Sequence, residues 1–201
     1  MKEDVIHSWS TAWINNLNRH VNKEGIELQK MILGMEILLH NIPKMVLMFT
    51  IALYLGILPQ TLATWFSFVI IRRYAGGMHA GNSITCTIMT LLMFVAVPFI
   101  LIGTQISAGI FLLTFAIIGL GLYKYSPSDT AARPILGKKK RAMLKKRAVV
   151  ASFFIMALGL LLRNEILYGL FAAGALYALV TVLPLTYKVF GASMNNYEGY
   201  E

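Results

Sequence analysis

Charge is scarce in this sequence. Only 13% of its 201 residues are Asp, Glu, Lys or Arg, against 57% hydrophobic, where a soluble domain carries roughly 25% charged residues. With a mean hydropathy of +0.66, the chain reads as one membrane domain over residues 1–201, with no separate soluble domain. A single cysteine excludes an internal disulfide and any multi-cysteine metal site. The histidines at 7, 20, 40 and 79 match no HExxH spacing, so no zinc or other cofactor is expected. The opening MKEDVIHSWS sets acids beside its lysine and lacks an apolar core, so no cleaved signal peptide is expected. Nor does any basic patch interleave with stacking aromatics on a soluble fold, which argues against nucleic acid as a partner. There is no internal repeat.

What is present is a series of helices. In residues 4–22, Val5, Trp9, Trp13, Leu17 and Val21 recur every fourth position, with asparagines, serine and Arg19 opposite. This amphipathic helix suits the headgroup region or a seat on the protein's own core. Residues 26–41 form a second stretch, interrupted by Glu27, Lys30, Glu36 and His40. Glu36 lies among Met, Ile and Leu, where a lone carboxylate must be paired or wet. Residues 42–58 are the first convincing span, with Pro43 in its first turn, and Pro59 then breaks the chain. Residues 61–71 are short for a crossing of roughly 20 residues; with Arg72 and Arg73 snorkelling at one end they either cross a thinned region or form a re-entrant segment. Apolar runs follow at 84–102, 109–123, 148–162 and 166–189, with a long basic loop over 123–147 and a tail from Gly191 that reads as mobile.

Counting residues 61–71 as a crossing predicts an all-α, polytopic membrane protein with about six transmembrane helices behind amphipathic N-terminal helices. With both ends on one side, that side receives sixteen of the eighteen lysines and arginines. The positive-inside rule makes it the cytoplasmic one. The run from Lys138 to Arg147 is then a surface for anionic lipid, or for an acidic segment of a bound peptide.

One polar interruption, RRYAGGMHAGNSITC from Arg72 to Cys86, holds nearly all the groups able to do chemistry. In one unbroken helix His79 and Cys86 would stand two turns, roughly 10 Å, apart. Glycines at 76, 77 and 81 argue for a loop instead. Asn82 or Ser83 is a ready N-cap for the next span. Cys86 then falls in a first helical turn, where free amides and the helix dipole favour a thiolate. His79 on the loop can fold back as its base, the arrangement that activates a cysteine for acyl transfer. The plainer reading makes Cys86 an apolar filler and His79 a polar loop residue.

This segment closely resembles the signature of the accessory gene regulator B family, membrane cysteine endopeptidases of Gram-positive bacteria. SPSDTAARPI followed by KKKRAMLKKR resembles the same family's proline-flanked segment and basic stretch. The resemblance implies that the chain cuts the C-terminal part from an autoinducing-peptide precursor and promotes cyclisation of the remainder. It places the catalytic histidine and cysteine on His79 and Cys86, with Arg72 and Gly77 as supporting residues, and it suggests a homodimer. Met78 is bulky for such a loop. Arg72 would hold a substrate carboxylate or stabilise the site, with membrane anchoring as its plain alternative. Asp129 and Glu36 are the acidic candidates for a third group orienting His79. The rival class is a non-enzymatic peptide exporter or a sensor's membrane domain, for which inverted repeats and midplane helix breaks would be the mark.

Overall fold

The computed structural model describes residues 2–78, 83–131 and 134–199, with side chains from residue 6 onward. Among the described residues helices make up nearly all the regular structure, and a parallel bridge joins Gly76 to Ser128. The chain divides into two units, Met1–Thr50 and Ile51–Glu201.

In the first unit α1, Lys2–Val21, ends where Asn22 takes a positive φ of 50°. Asn18 staples that turn, its amide and carbonyl oxygen both bonded to the Lys23 backbone at 2.8 Å. The tryptophan stripe of α1 is exposed, with Trp9 61% and Trp13 62% accessible. It therefore supplies no core, and an apolar stripe left open on a polar-backed helix suits a membrane surface. The second helix, α2, runs unbroken from Gly25 to Tyr54. The sequence reading put a boundary near Pro43, but the apolar pattern continues on both sides and carries the helix through it. Within that stretch Asn41 Nδ2 donates to the Ile37 carbonyl at 2.7 Å, adding a bond to the turn that proline weakens. Glu36 is paired with His7, which resolves its cost among apolar neighbours.

The second unit packs around α3, Leu58–Ala75. Pro59 opens this helix rather than separating it from a shorter run, and the helix extends past residue 71 through Arg72 and Arg73. Its buried face is Thr61, Thr64, Ser67, Ile71 and Ala75, a stripe of small residues at helical spacing. Small residues let backbones approach. A Cβ on Gly174 would meet the Thr64 carbonyl at 2.1 Å, and Ser67 Oγ donates to the Phe171 carbonyl at 2.8 Å. The main partners of α3 are α8 (Glu165–Val180) and α7 (Lys138–Leu162), and α6 (Ala108–Tyr125) packs in turn on α7 and α8. Phe111, Phe115, Ile118, Leu122, Ile155 and Phe171 form the core between them.

Between α3 and α6 the chain forms α4 (Ser83–Leu91), a π-helical turn (Leu92–Ala96) and α5 (Val97–Ile100). Thr61 Oγ1 donates to the Phe94 carbonyl at 2.7 Å inside that wide turn. Among the described residues three helices are long and apolar enough to cross a membrane: Gly25–Tyr54, Ser83–Ile100 and Ala108–Tyr125. Their outward residues, such as Ile84, Ile100, Leu113 and Leu120, are largely exposed. So much open apolar surface identifies a membrane protein.

Two expectations change. The basic run from Lys138 is no loop but the opening of α7, a 25-residue helix whose apolar second half packs into the core and holds the basic half in register. The last apolar run does not continue to residue 189. It stops at Val180, turns, and restarts as α9, Pro184–Val189. Proline at the head of α9 is compatible with a new helix but not with the interior of the old one.

Candidate active site

The glycine turn after α3 is held on three sides. Gly76 and Gly77 adopt φ of +69° and +109°, a region that disfavours any side chain. Space agrees with conformation: a Cβ on Gly76 would lie 2.3 Å from the Ser128 carbonyl, and one on Gly77 2.7 Å from Thr181 Oγ1. The Gly77 N–H donates to the Ser128 carbonyl at 2.9 Å, and the Ser128 N–H donates to the Ala75 carbonyl at 2.9 Å. The Met78 N–H donates to the Thr181 carbonyl, just past α8, at 3.0 Å. Met78 itself is buried, so its bulk anchors the turn instead of crowding it.

The third hold is Arg72. Its side chain reaches forward from the last turn of α3, and Nη2 donates to the carbonyls of Met78 at 2.6 Å and Gly77 at 3.3 Å. The guanidinium sits 5.3 Å from the Phe68 ring centroid, and its Nη1 is buried with no partner among the described residues. It lies within electrostatic reach of both Tyr187 and Cys86. Neighbouring Arg73 is exposed. Arg72 therefore binds the backbone immediately before position 79 and does not snorkel.

His79 and Asn82 lie outside the described residues, so the pairing of His79 with Cys86 is not among the described contacts. The chain is described again from Ser83, the first residue of α4, which puts Cys86 in the first turn as the sequence suggested. Cys86 is free and partly accessible. Thr87 Oγ1 donates to the Ser83 carbonyl and Thr90 Oγ1 to the Cys86 carbonyl, at 2.9 and 2.8 Å.

The wall facing the glycine turn is the proline-flanked segment. Ser128 Oγ is shared between the carbonyls of Tyr125 (2.8 Å) and Val182 (3.0 Å), tying the end of α6 to the end of α8. Tyr187 donates its hydroxyl to the Asp129 carbonyl at 2.7 Å. Burial first, and then the Asp129 charge, push the Tyr187 phenol up to about 12, so it remains a donor at neutral pH. A cleft of about 460 Å³ opens here, lined by Arg72, Gly76, Gly77, Ser128, Asp129, Thr130 and Ile135 among others. A hollow of similar size near Phe99 is lined only by apolar side chains and offers no chemistry.

The structure thus brings Arg72 and Gly77 together and sets Asp129 across the cleft from them. Glu36 is engaged by His7 in the other unit, and the Asp129 carboxylate is filled by donors of its own loop and of the C-terminal tail. Sequence reasoning missed Ser128, Thr181 and Tyr187. Ser128 lies inside the proline-flanked motif, but Thr181 acts through its backbone carbonyl, for which side-chain identity gives no signal. Among the described residues no three His, Cys, Asp or Glu gather as metal ligands.

The chain is similar to known proteins along most of its length. Residues 10–183 match the family described as Accessory gene regulator B. An AgrB-like protein of Clostridium acetobutylicum is 38% identical over 200 residues, covering 100% of this chain and 96% of that one. One from Listeria monocytogenes is 36% identical over 168 residues, 84% of this chain and 82% of that one. The Accessory gene regulator protein B of Staphylococcus aureus is 32% identical over 177 residues, 86% and 91% of the two chains. No solved structure matches. With its match running through the glycine turn, the proline-flanked wall and the helices that carry them, the chain belongs to the accessory gene regulator B family.

Proposed function

We propose that this protein is a membrane-embedded cysteine endopeptidase that cleaves a quorum-sensing peptide precursor and promotes its cyclisation, with Cys86 as nucleophile and His79 as base. The observation that carries the reading is the hold on the turn before residue 79. Arg72, Ser128 and Thr181 fix its backbone, and Cys86 waits seven residues on in the first turn of α4. Loop segments clamped at their entry and delivering a base to a helix N-terminus are what acyl transfer needs.

In the first step His79 takes the Cys86 proton and Sγ attacks the scissile carbonyl. Free amides at the start of α4 steady the oxyanion. The peptide bond breaks, the C-terminal fragment leaves as an amine carrying the proton from His79, and an acyl-thioester remains on Cys86. A thiol or hydroxyl within the bound peptide then attacks that carbonyl, and the Cys86 thiolate departs as a thiolactone or lactone closes. Exchange of one thioester for another is nearly neutral, so no nucleotide is required. Arg72 is a positioning residue in this scheme: it acts through the carbonyls of Gly77 and Met78. Asp129 and Glu36 serve their own partners, and orientation of His79 falls to its backbone setting.

The topology that fits is six crossings, with both ends and the site on the cytoplasmic side, the first turns of α7 on anionic lipid, and two copies associating. Incubation of purified protein with the precursor, followed by intact-mass measurement, tests the reading. A species heavier by the N-terminal fragment minus water, absent in Cys86→Ala and discharged by hydroxylamine, is expected. Cleavage that persists in Cys86→Ala contradicts it. Transport of uncut peptide into vesicles would favour the exporter instead.

A further inference from the structure

The C-terminal tail was expected to be mobile, yet it is tied down at the rim of the cleft. Residues 193–199 close a turn of their own: Asn196 Nδ2 donates to the Ser193 carbonyl at 2.9 Å, and Asn196–Gly199 is a short 3₁₀ helix. The Asp129 carboxylate then takes three bonds from this turn. The Asn196 N–H donates at 3.0 Å, its side-chain amide at 3.3 Å, and the Tyr197 N–H at 3.1 Å. A fourth comes from the Ile135 N–H at 3.4 Å. Beside them the Tyr197 ring lies 3.7 Å from the Arg141 guanidinium carbon, while Arg141 Nη1 donates to the Ile135 carbonyl at 3.1 Å.

Contacts of this kind also suit a peptide bound in trans. Sequence-independent backbone donors meet one buried carboxylate, and one aromatic side chain stacks on one cation. Asp129 is only 4% exposed while also lining the cleft. A carboxylate so enclosed needs donors, and the tail supplies most of them.

We propose that Asp129 and Arg141 form a peptide-binding subsite beside the cleft, occupied in the resting chain by its own Asn196–Tyr197 turn. Its ligand class is a peptide turn in which an amide or hydroxyl side chain precedes an aromatic residue. The tail acts as a tethered competitor for it. That the competing peptide is the substrate rests on the peptidase reading; the subsite itself does not.

The test uses the full chain in detergent and a fluorescent synthetic peptide with the sequence of residues 190–199. Its binding, read by anisotropy, is compared in wild type and in Asn196→Pro/Tyr197→Pro, which removes both backbone donors and the aromatic ring. The variant, its own tail released, is expected to bind the peptide at least about tenfold tighter than wild type. Adding Asp129→Asn to the variant abolishes the gain. Amide exchange checks the resting state: the Asn196 and Tyr197 amides are protected in wild type and lose protection in Asp129→Asn, while α6 and α7 keep theirs. Equal affinity in wild type and variant, no binding to either, or unprotected tail amides in wild type overturns the proposal. None of these readouts involves cleavage, so failure of the peptidase reading would leave them standing and show separately.

Discussion

Arg72 and the opening of α7 are both basic, and the sequence alone allows membrane anchoring for each. In the structure they differ. Arg72 is turned inward, bonded to two consecutive carbonyls and stacked on Phe68. Lys138, Lys139, Lys140, Lys146 and Arg147 stay exposed along one helix. Exposed charges in high dielectric contribute little to stability and act over the membrane surface. A buried guanidinium fixes geometry, because leaving its carbonyl partners unsatisfied costs about 1–3 kcal/mol each. The lesson is that the backbone next to a cation decides its role: the glycine turn after α3 points the carbonyls of Gly77 and Met78 at Arg72, whereas the lysines that open α7 stay exposed.

The comparison breaks most sharply at Arg72. Arg72→Ala should lower precursor cleavage on the order of a hundredfold, the scale of a misplaced catalytic group. Arg72→Lys should recover little, since one ammonium does not match the planar fork. Steady-state cleavage of both variants checks this, with alkylation of Cys86 confirming that α4 is intact. Gly77→Ala comes next. A Cβ at φ +109° and 2.7 Å from Thr181 Oγ1 should cost on the order of 1–3 kcal/mol, visible as a lowered midpoint in thermal unfolding and at least about tenfold less activity. Ser128→Ala removes a hydroxyl shared between the Tyr125 and Val182 carbonyls. It should destabilise by about 1–2 kcal/mol and lower activity several-fold. The smallest effect on catalysis belongs to the other region. Replacing Lys138, Lys139 and Lys140 by Gln should leave cleavage in detergent within about twofold. It should weaken binding to anionic over neutral vesicles, by about 1 kcal/mol per lysine near the surface.

How far the sequence reached follows the same line. Helices announced by apolar runs were legible, because local pattern determines them. Boundaries set by packing were not: α2 passes through Pro43, α3 gains a full turn past residue 71, and α7 takes in its basic run because its apolar half is docked. In the site, Arg72 and Gly77 were legible from their motif, but Arg72's role was not. Hydrogen bonds across more than fifty residues, such as Ser128 to Val182 and the Asn196 turn to Asp129, leave no local trace. The tail was read as mobile for that reason.

In the proposed mechanism the fixed turn delivers His79 to Cys86. The most direct measurement is the rate of Cys86 alkylation at neutral pH, made simple by its being the only cysteine, in wild type, His79→Ala and Arg72→Ala. His79→Ala is expected to slow the reaction at least about tenfold, and Arg72→Ala to slow it similarly though His79 is still present. Equal rates in all three proteins would contradict the mechanism, leaving the thiol without its base and the turn without its purpose.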